Sequence, residues 1–391
     1  MEEKRRIVFV VAQDWMFVQF RMDLARALRD AGTEVSVIGA PGDAYPAIEA
    51  EHFRFYPWSL KRLGKNPFAE ANAVRELIAL YRRLRPTIAH HVAMKPILYG
   101  SIAARATDTA AVNAVTGLGH AFIEGGSGRR ALRAGIEQGY RFCLSGKRSI
   151  TTFQNRDDLE LFVSRKLVSR NSVRLIRGSG VDVVKFCPSP EPNTPVRVLL
   201  PARMLWEKGI GEFVEAAKIL RARKVPCKFI LAGKPDEGNL AAISVEQLNA
   251  WGLEGALRWI GHQSDMPALI ASAHIVCLPS YREGVPLSLL EAAACGRAIV
   301  TTDVPGCREV VVHGENGLLV PARDSETLAR AIEQLVLDKE TRIEMGKRGR
   351  KRIVQYFSKE EVIEGTFAVY NSLLGSSSGV AARSNRTDVQ G

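Results

Sequence analysis

Apolar residues in the first half of the chain come in short unbroken runs, each followed by a stretch with helical spacing. The run "RIVFVVA" (6–12) is of the kind that fills a central parallel strand, and "VQFRMDLARALRDAG" after it spaces its apolar positions as a helix stopping at Gly32. The rhythm repeats through "EVSVIGA", "HFRFYPW", a helix near 67–84, "TIAHHVA", a helix to about Arg105, "AAVNAVTG", a helix near 129–144, "SITTF", a helix from Asn155 and "SVRLIRG". Such alternation predicts an α/β protein with a doubly wound sheet.

Residues 186–195 read "FCPSPEPNTP", and four prolines in ten positions exclude a continuous helix or central strand. This segment is expected to be the hinge between an N-terminal domain (1–185) and a C-terminal one (196–356). A second series follows: "VRVLLPA", "GEFVEAAKILRAR", "CKFILAG", a helix near 244–251, "ALRWIG", "DMPALIASA", "HIVCLPS", a helix opened by Pro286, and "RAIVTT". The pattern is mostly helical from Ser325 to about Leu374, with 357–374 expected as a helix crossing back to the first domain. Residues 375–391 have the small polar composition of a disordered tail.

A chain of 391 residues suits two domains, and its 46% apolar and 25% charged content suits a globular protein. Six cysteines without any C-x-x-C pair read as reduced, buried thiols rather than a disulfide framework or zinc site. The first apolar run is too short for a signal sequence or a membrane span, and a cytoplasmic protein is expected. Charge is more telling. Residues 1–185 carry 29 Lys and Arg against 18 Asp and Glu, whereas the remainder carries 25 against 24, so nearly all of the +12 lies in the first half. No nucleic-acid-binding signature accompanies it, which leaves an anionic membrane surface or anionic substrate as the expected partner.

Two facing sheets joined by a hinge enclose a cleft at the carboxyl ends of their strands, where α/β proteins bind ligands. In "VLLPARMLWEKGI", Arg203 and Lys208 follow a buried strand and precede a helix, so both cations are placed to meet an anion. A surface salt bridge to Glu207 or Glu212 is the plainer alternative. Pro286 suits the first position of a helix "GVPLSLLEAAACG" capped by Gly296, with the amides of 284–287 left unpaired toward the cleft as an anion site. Glu283 stands at that mouth, and Glu291 lies roughly 8–12 Å further along. That spacing would let Glu291 accept from ribose hydroxyls while Glu283 meets a sugar across a diphosphate.

The stretch from about Val196 to Leu335, with "PARMLWEKG", "FILAGKP" and "SYREGVPLSLLEAAACGRAIVTTDVPG", resembles the nucleotide-binding half of the GT-B retaining glycosyltransferases of family four and their E-x7-E motif. The resemblance implies two Rossmann-like domains across a cleft. It implies that Arg203 and Lys208 bind the donor diphosphate, Glu291 the ribose, and Glu283 the transferred sugar near the reaction centre. Gly284, Val285, Pro286 and Leu287 then lie along the phosphate and sugar, and Gly233 and Gly261 join the donor set. In the first half, "HHVAMKPILYGSIAARA", "VNAVTGLGHAF" and "RLGKNP" resemble bacterial enzymes extending polyprenyl-diphosphate-linked saccharides for capsule, O-antigen or glycoprotein glycans. The donor this implies is a UDP-sugar, hexose or N-acetylhexosamine. One departure is that "AQDWMFVQF" replaces the glycine pair many members carry after the first strand, so diphosphate contacts from that loop cannot be carried over.

The resemblance also favours a histidine near the sugar. His90 and His91 end a first-domain strand on opposite faces, and the expectation leans toward His91. Gly117 and Gly119 in "TGLGH" are secondary candidates for close backbone approach. The acceptor is expected near Arg62, Lys65, Lys95, Arg129, Arg130 and Arg133, with "GRRALRAGIEQGYRF" touching anionic lipid heads at the inner face of the cell membrane. Trp15, Phe17 and Phe20 are candidates for a lipid-linked acceptor, with core packing expected for at least two. No D-x-D pair and no His/Cys ligand cluster occurs in the sequence, so no cofactor is expected and transfer without a metal follows as a hypothesis. A nucleotide-sugar epimerase or hydrolase, a non-catalytic binding protein, and a small soluble acceptor remain the alternatives.

Overall fold

A computed structural model describes residues 5–61, 64, 66–118, 127–236 and 238–375, the side chains of 127–133 excepted. The first domain's strands are β1 (Arg6–Val10), β2 (Glu34–Gly39), β3 (Arg54–Pro57), β4 (Ile88–Val92), β5 (Ala110–Val115), β6 (Ser149–Phe153) and β7 (Val173–Leu175). Its helices are α1 (Asp14–Phe20), α2 (Met22–Asp30), α3 (Tyr45–Ala50), α4 (Pro67–Leu84), α5 (Met94–Ala106), α6 (Ser127–Leu144) and α7 (Arg156–Ser164). The second domain contains β8 (Val196–Pro201), α8 (Ile210–Ala222), β9 (Cys227–Ala232), α9 (Val245–Leu253), β10 (Leu257–Trp259), α10 (Met266–Ala271), β11 (Ile275–Leu278) and α11 (Leu287–Ala294). It continues through β12 (Ala298–Thr302), α12 (Cys307–Val310), β13 (Leu318–Val320), α13 (Ser325–Leu337) and α14 (Lys339–Tyr356), and α15 (Lys359–Leu374) ends the described chain.

Each sheet is parallel, with strand orders β3-β2-β1-β4-β5-β6-β7 and β10-β9-β8-β11-β12-β13. The order reverses between β1 and β4 in one domain and between β8 and β11 in the other. Loops leaving such strand pairs diverge to opposite faces and open a crevice between them. Both faces of β1 are covered: Ile7 and Phe9 pack in one apolar cluster, Val8 and Val10 in another, which is why its run is unbroken.

The helix expected over 18–32 is two helices that begin earlier. The Asp14 carboxylate opens α1 by accepting from the Gly42 and Ala44 amides (2.6 and 3.1 Å), and the backbone breaks at Arg21. The proline-rich segment lies along the second domain: Arg297 donates to Ser189 and to the Pro190 carbonyl, Arg342 pairs with Glu191, and the Pro192 carbonyl lies 3.1 Å from the His274 ring. The crossing strands meet nearby, where Val181 N donates to Phe357 O and Lys359 N to Val181 O (both 3.0 Å). Past this bridge α15 packs on the first domain, with Val369 and Tyr370 inside its apolar cluster. Among the described residues no helix is long and apolar enough to cross a membrane.

Candidate functional site

The site grows from the crevice between β8 and β11. After β8, a short 3-10 turn (206–208) sets Lys208 beside Gly209, whose left-handed backbone (φ 70°) presses on the next loop. A Cβ at Gly209 would stand 2.0 Å from the Pro279 carbonyl oxygen, so only glycine lets the two loops touch. They are stitched further by Tyr281 N donating to Glu207 O (2.9 Å) and Tyr281 Oη to Glu212 (2.7 Å). The result is a close pair, with Lys208 Nζ 2.5 Å from Glu283 Oε1 and Ser280 Oγ donating to the same oxygen at 2.7 Å. The carboxylate partner of Lys208 is therefore Glu283, and neither Glu207 nor Glu212. Arg203 pairs with Asp236 (2.6 Å) from the loop after β9, its side chain half exposed.

Gly233 and Gly261 meet at the ends of β9 and β10, where Gly233 N donates to Gly261 O at 2.7 Å. A Cβ on Gly233 would lie 1.8 Å from Ala202 O, so this glycine lets the Arg203 loop pass over the sheet edge.

Helix α11 begins at Leu287, with Pro286 as its N-cap, one position later than expected, and it is closed as expected by Gly296, whose left-handed backbone (φ 67°) follows Cys295 and donates to Ala293 O (2.9 Å). The preceding loop is not free. Val285 N donates to Gln154 Oε1 (3.2 Å), Gly284 O accepts from Asn155 Nδ2 (2.9 Å), and Arg282 pairs with Asp158, all three partners belonging to the first domain. Glu309 adds to this seam by accepting from Arg156 N (2.7 Å). Gly117, with φ 144°, faces the Gly284 amide, and a Cβ on Gly284 would stand 2.0 Å from Thr116 O. Of the expected amides 284–287, that of Val285 is thus taken and Pro286 has none, which leaves those of Gly284 and Leu287, the latter in the first turn of a helix that lacks internal partners.

Glu291, one turn into α11, lines a cleft cavity of about 590 Å³ together with Leu287, Lys185, His90 and Arg21. Burial pushes its carboxyl up to about 7, with Lys185 pulling weakly the other way. The volume lies within the range of small-molecule sites.

Strand parity decides the histidines. In register with β1, His90 pairs beside Phe9 and His91 beside Val10, so they face opposite sides of the sheet. His91 is turned into the first domain: its ring lies 2.9 Å from Tyr81 Oη and 2.7 Å from Asn113 Oδ1, and Gly100 packs against it. Desolvation brings it down to about 4. The leaning toward His91 is therefore corrected. His90 faces the cavity, with Nδ1 held by Tyr370 Oη at 2.5 Å and Nε2 buried without a partner.

Lys95 is also corrected. Its ammonium is taken by Glu70 (2.8 Å) and the Lys61 and Gly64 carbonyls (2.9 Å each), so it ties a loop to α5 instead of offering charge to an acceptor. Gly119, Arg62 and Lys65 lie outside the described residues, as do the side chains of Arg129, Arg130 and Arg133. Phe17 is fully buried against Phe9 and Phe53, worth about 2 kcal/mol, while Trp15 and Phe20 are partly exposed. Cys187 is exposed and Cys227 intermediate, unlike the other four cysteines, which are buried. Sequence reading missed Ser280, Asp236, Gly209, Gln154, Asn155, Asp158 and Arg21. Asn155 was legible as a helix start, since its side chain caps α7 through Asp158 N, but its second bond across the cleft was not.

Residues 185–352 match the family described as "Glycosyl transferases group 1", and residues 6–155 match "Glycosyl transferase 4-like". The N,N'-diacetylbacillosaminyl-diphospho-undecaprenol alpha-1,3-N-acetylgalactosaminyltransferase of Campylobacter jejuni is 30% identical over 367 residues, covering 90% of this chain and 94% of that one. Among solved structures, sucrose-phosphate synthase from Thermosynechococcus elongatus superposes with TM-score 0.79 at 20% identity, covering 95% of this chain and 100% of that one. Anabaena HepE in complex with UDP-glucose gives 0.74 at 18%, covering 94% and 99%.

Proposed function

Since this chain belongs to the glycosyl transferases of group 1, glycosyltransferases of the GT-B fold, we propose that it moves a hexose or N-acetylhexosamine from a UDP-sugar to a polyprenyl-diphosphate-linked saccharide, with retention and without a metal. The observation that carries the reading is the Lys208–Glu283 pair in the loop before α11, with Glu291 one turn into that helix. The activity for which the Campylobacter relative is named, with that protein aligned over nearly its whole length, supports the acceptor class.

In this reading the donor diphosphate enters between Arg203, Lys208 and the first amides of α11. A phosphate competes with Glu283 for the Lys208 ammonium, which frees the carboxylate for hydroxyls of the transferred sugar. Glu291 accepts from the ribose. The acceptor hydroxyl attacks the anomeric carbon on the face from which the diphosphate leaves, the glycosidic C–O bond to phosphate breaks, and a leaving phosphate oxygen takes the acceptor's proton. Negative charge developing on UDP is met by the two cations and the helix start.

The test is a panel of UDP-sugars incubated with lipid-linked saccharide, with product mass and anomeric configuration read for wild type, Lys208→Met and Glu283→Gln, each with and without EDTA. Wild-type transfer should persist in EDTA, and both variants should lose about 10²–10³-fold in kcat while melting cooperatively. Full activity in either variant would refute the assignment. UDP-sugar turnover without acceptor would point to the hydrolase or epimerase reading instead.

A further inference from the structure

A buried cation in the first-domain wall of the cavity has no counter-ion. Arg21 occupies the break between α1 and α2, at φ −135° and ψ −8°, while the ladder continues on either side through Arg21 N to Phe17 O and Ala25 N to Arg21 O. Its side chain lines the cavity and is only 7% exposed as a residue. Nη1 donates to Phe20 O (2.7 Å) and Ser179 Oγ (3.1 Å), and Nε is buried without a partner. Arg21 makes no ion pair among the described residues. Of the acidic side chains lining the cavity, Asp23 and Glu51 are engaged by Arg26 and Asp182 by Lys359, while Glu291 stands on the opposite domain and makes no ion pair with Arg21. Burial alone pushes the guanidinium down to about 10, with Tyr370 a weaker opposing influence.

A charge removed from water without a partner is costly, and buried charges are ordinarily paired. Here the same cavity presents the unpartnered Nε2 of His90 and, from the opposite domain, Leu287 and Glu291 of α11. The groups short of partners thus face a space bounded by both lobes.

We propose that Arg21 is a further diphosphate-binding residue, supplied by the first domain, whose missing counter-ion is a substrate diphosphate bridging the two lobes. The inference rests on the glycosyltransferase reading above. The diphosphate belongs either to the donor nucleotide or to the lipid-linked acceptor.

The experiment titrates UDP, uridine and inorganic pyrophosphate calorimetrically into wild type, Arg21→Met and Arg21→Lys, with ligand-free melting temperatures and acceptor KM alongside. Arg21→Met should melt at or above the wild-type temperature, because an uncompensated charge is gone, yet bind UDP and pyrophosphate at least tenfold more weakly with uridine affinity unchanged. Arg21→Lys should recover part of the loss. Unchanged UDP affinity with a tenfold rise in acceptor KM would assign the same residue to the acceptor's diphosphate. Unchanged UDP and pyrophosphate affinity together with unchanged acceptor KM overturns the proposal and leaves Arg21 a packing residue. Wild-type protein indifferent to UDP would count against the donor reading instead, with pyrophosphate and acceptor KM still reporting on Arg21.

Discussion

Glu291 is the residue whose charge state is most exposed to test. Its carboxyl sits at about 7 in the folded chain because burial penalises the anion, well above its unfolded value. A raised pKa means the folded state holds the proton more tightly, so the associated stability is fully present below the unfolded value and is lost as pH rises through about 7. By pH 8 the loss is at most about 3 kcal/mol. Glu291→Gln should therefore melt higher than wild type at pH 8 and differ little at pH 5, while losing UDP affinity; an equal gain at both pH values would contradict the buried carboxylate. Arg203 and Lys208 stood out by residue type and spacing in one segment and Glu283 and Glu291 in another, but that Lys208 meets Glu283, 75 positions away, was not legible. The partners Asp236 of Arg203 and Ser280 of Glu283 carried no pattern, and choosing His90 over His91 needed the register with β1.

Among the elements, long periodic stretches were readable from the chain: α4 occupies the expected 67–84 and α14 and α15 the expected helical end. The four-residue α12 and three-residue β13 went unread because periodicity has no meaning over so few positions. The loop before α11 was read as open and is instead pressed on the first domain. Gly284 lies within reach of Thr116 O and Gly117, where a methyl group has no room. Gly284→Ala should force this seam apart by an ångström or more and lower kcat/KM about a hundredfold, with the melting temperature of each domain little changed. Wild-type kinetics in that variant would show that the seam plays no part in turnover.

Across the whole molecule the positive charge of residues 1–185 has no counterpart in the second half. If that half approaches a membrane to reach a lipid-linked acceptor, the protein should sediment with anionic vesicles at low salt, release at high salt, and ignore neutral vesicles. Absence of binding at low salt would favour a small soluble acceptor. By itself the sequence determined two doubly wound domains and singled out two short candidate motifs, because strand and helix periods and short spacings are properties of neighbouring residues. Only the tertiary structure decided that the proline-rich segment is held on the second domain, that α15 contributes Tyr370 behind His90, and that Gln154, Asn155 and Asp158 hold the loop before α11. Those contacts join residues more than a hundred positions apart, and all but the first depend on how the two domains face each other, which no local pattern encodes.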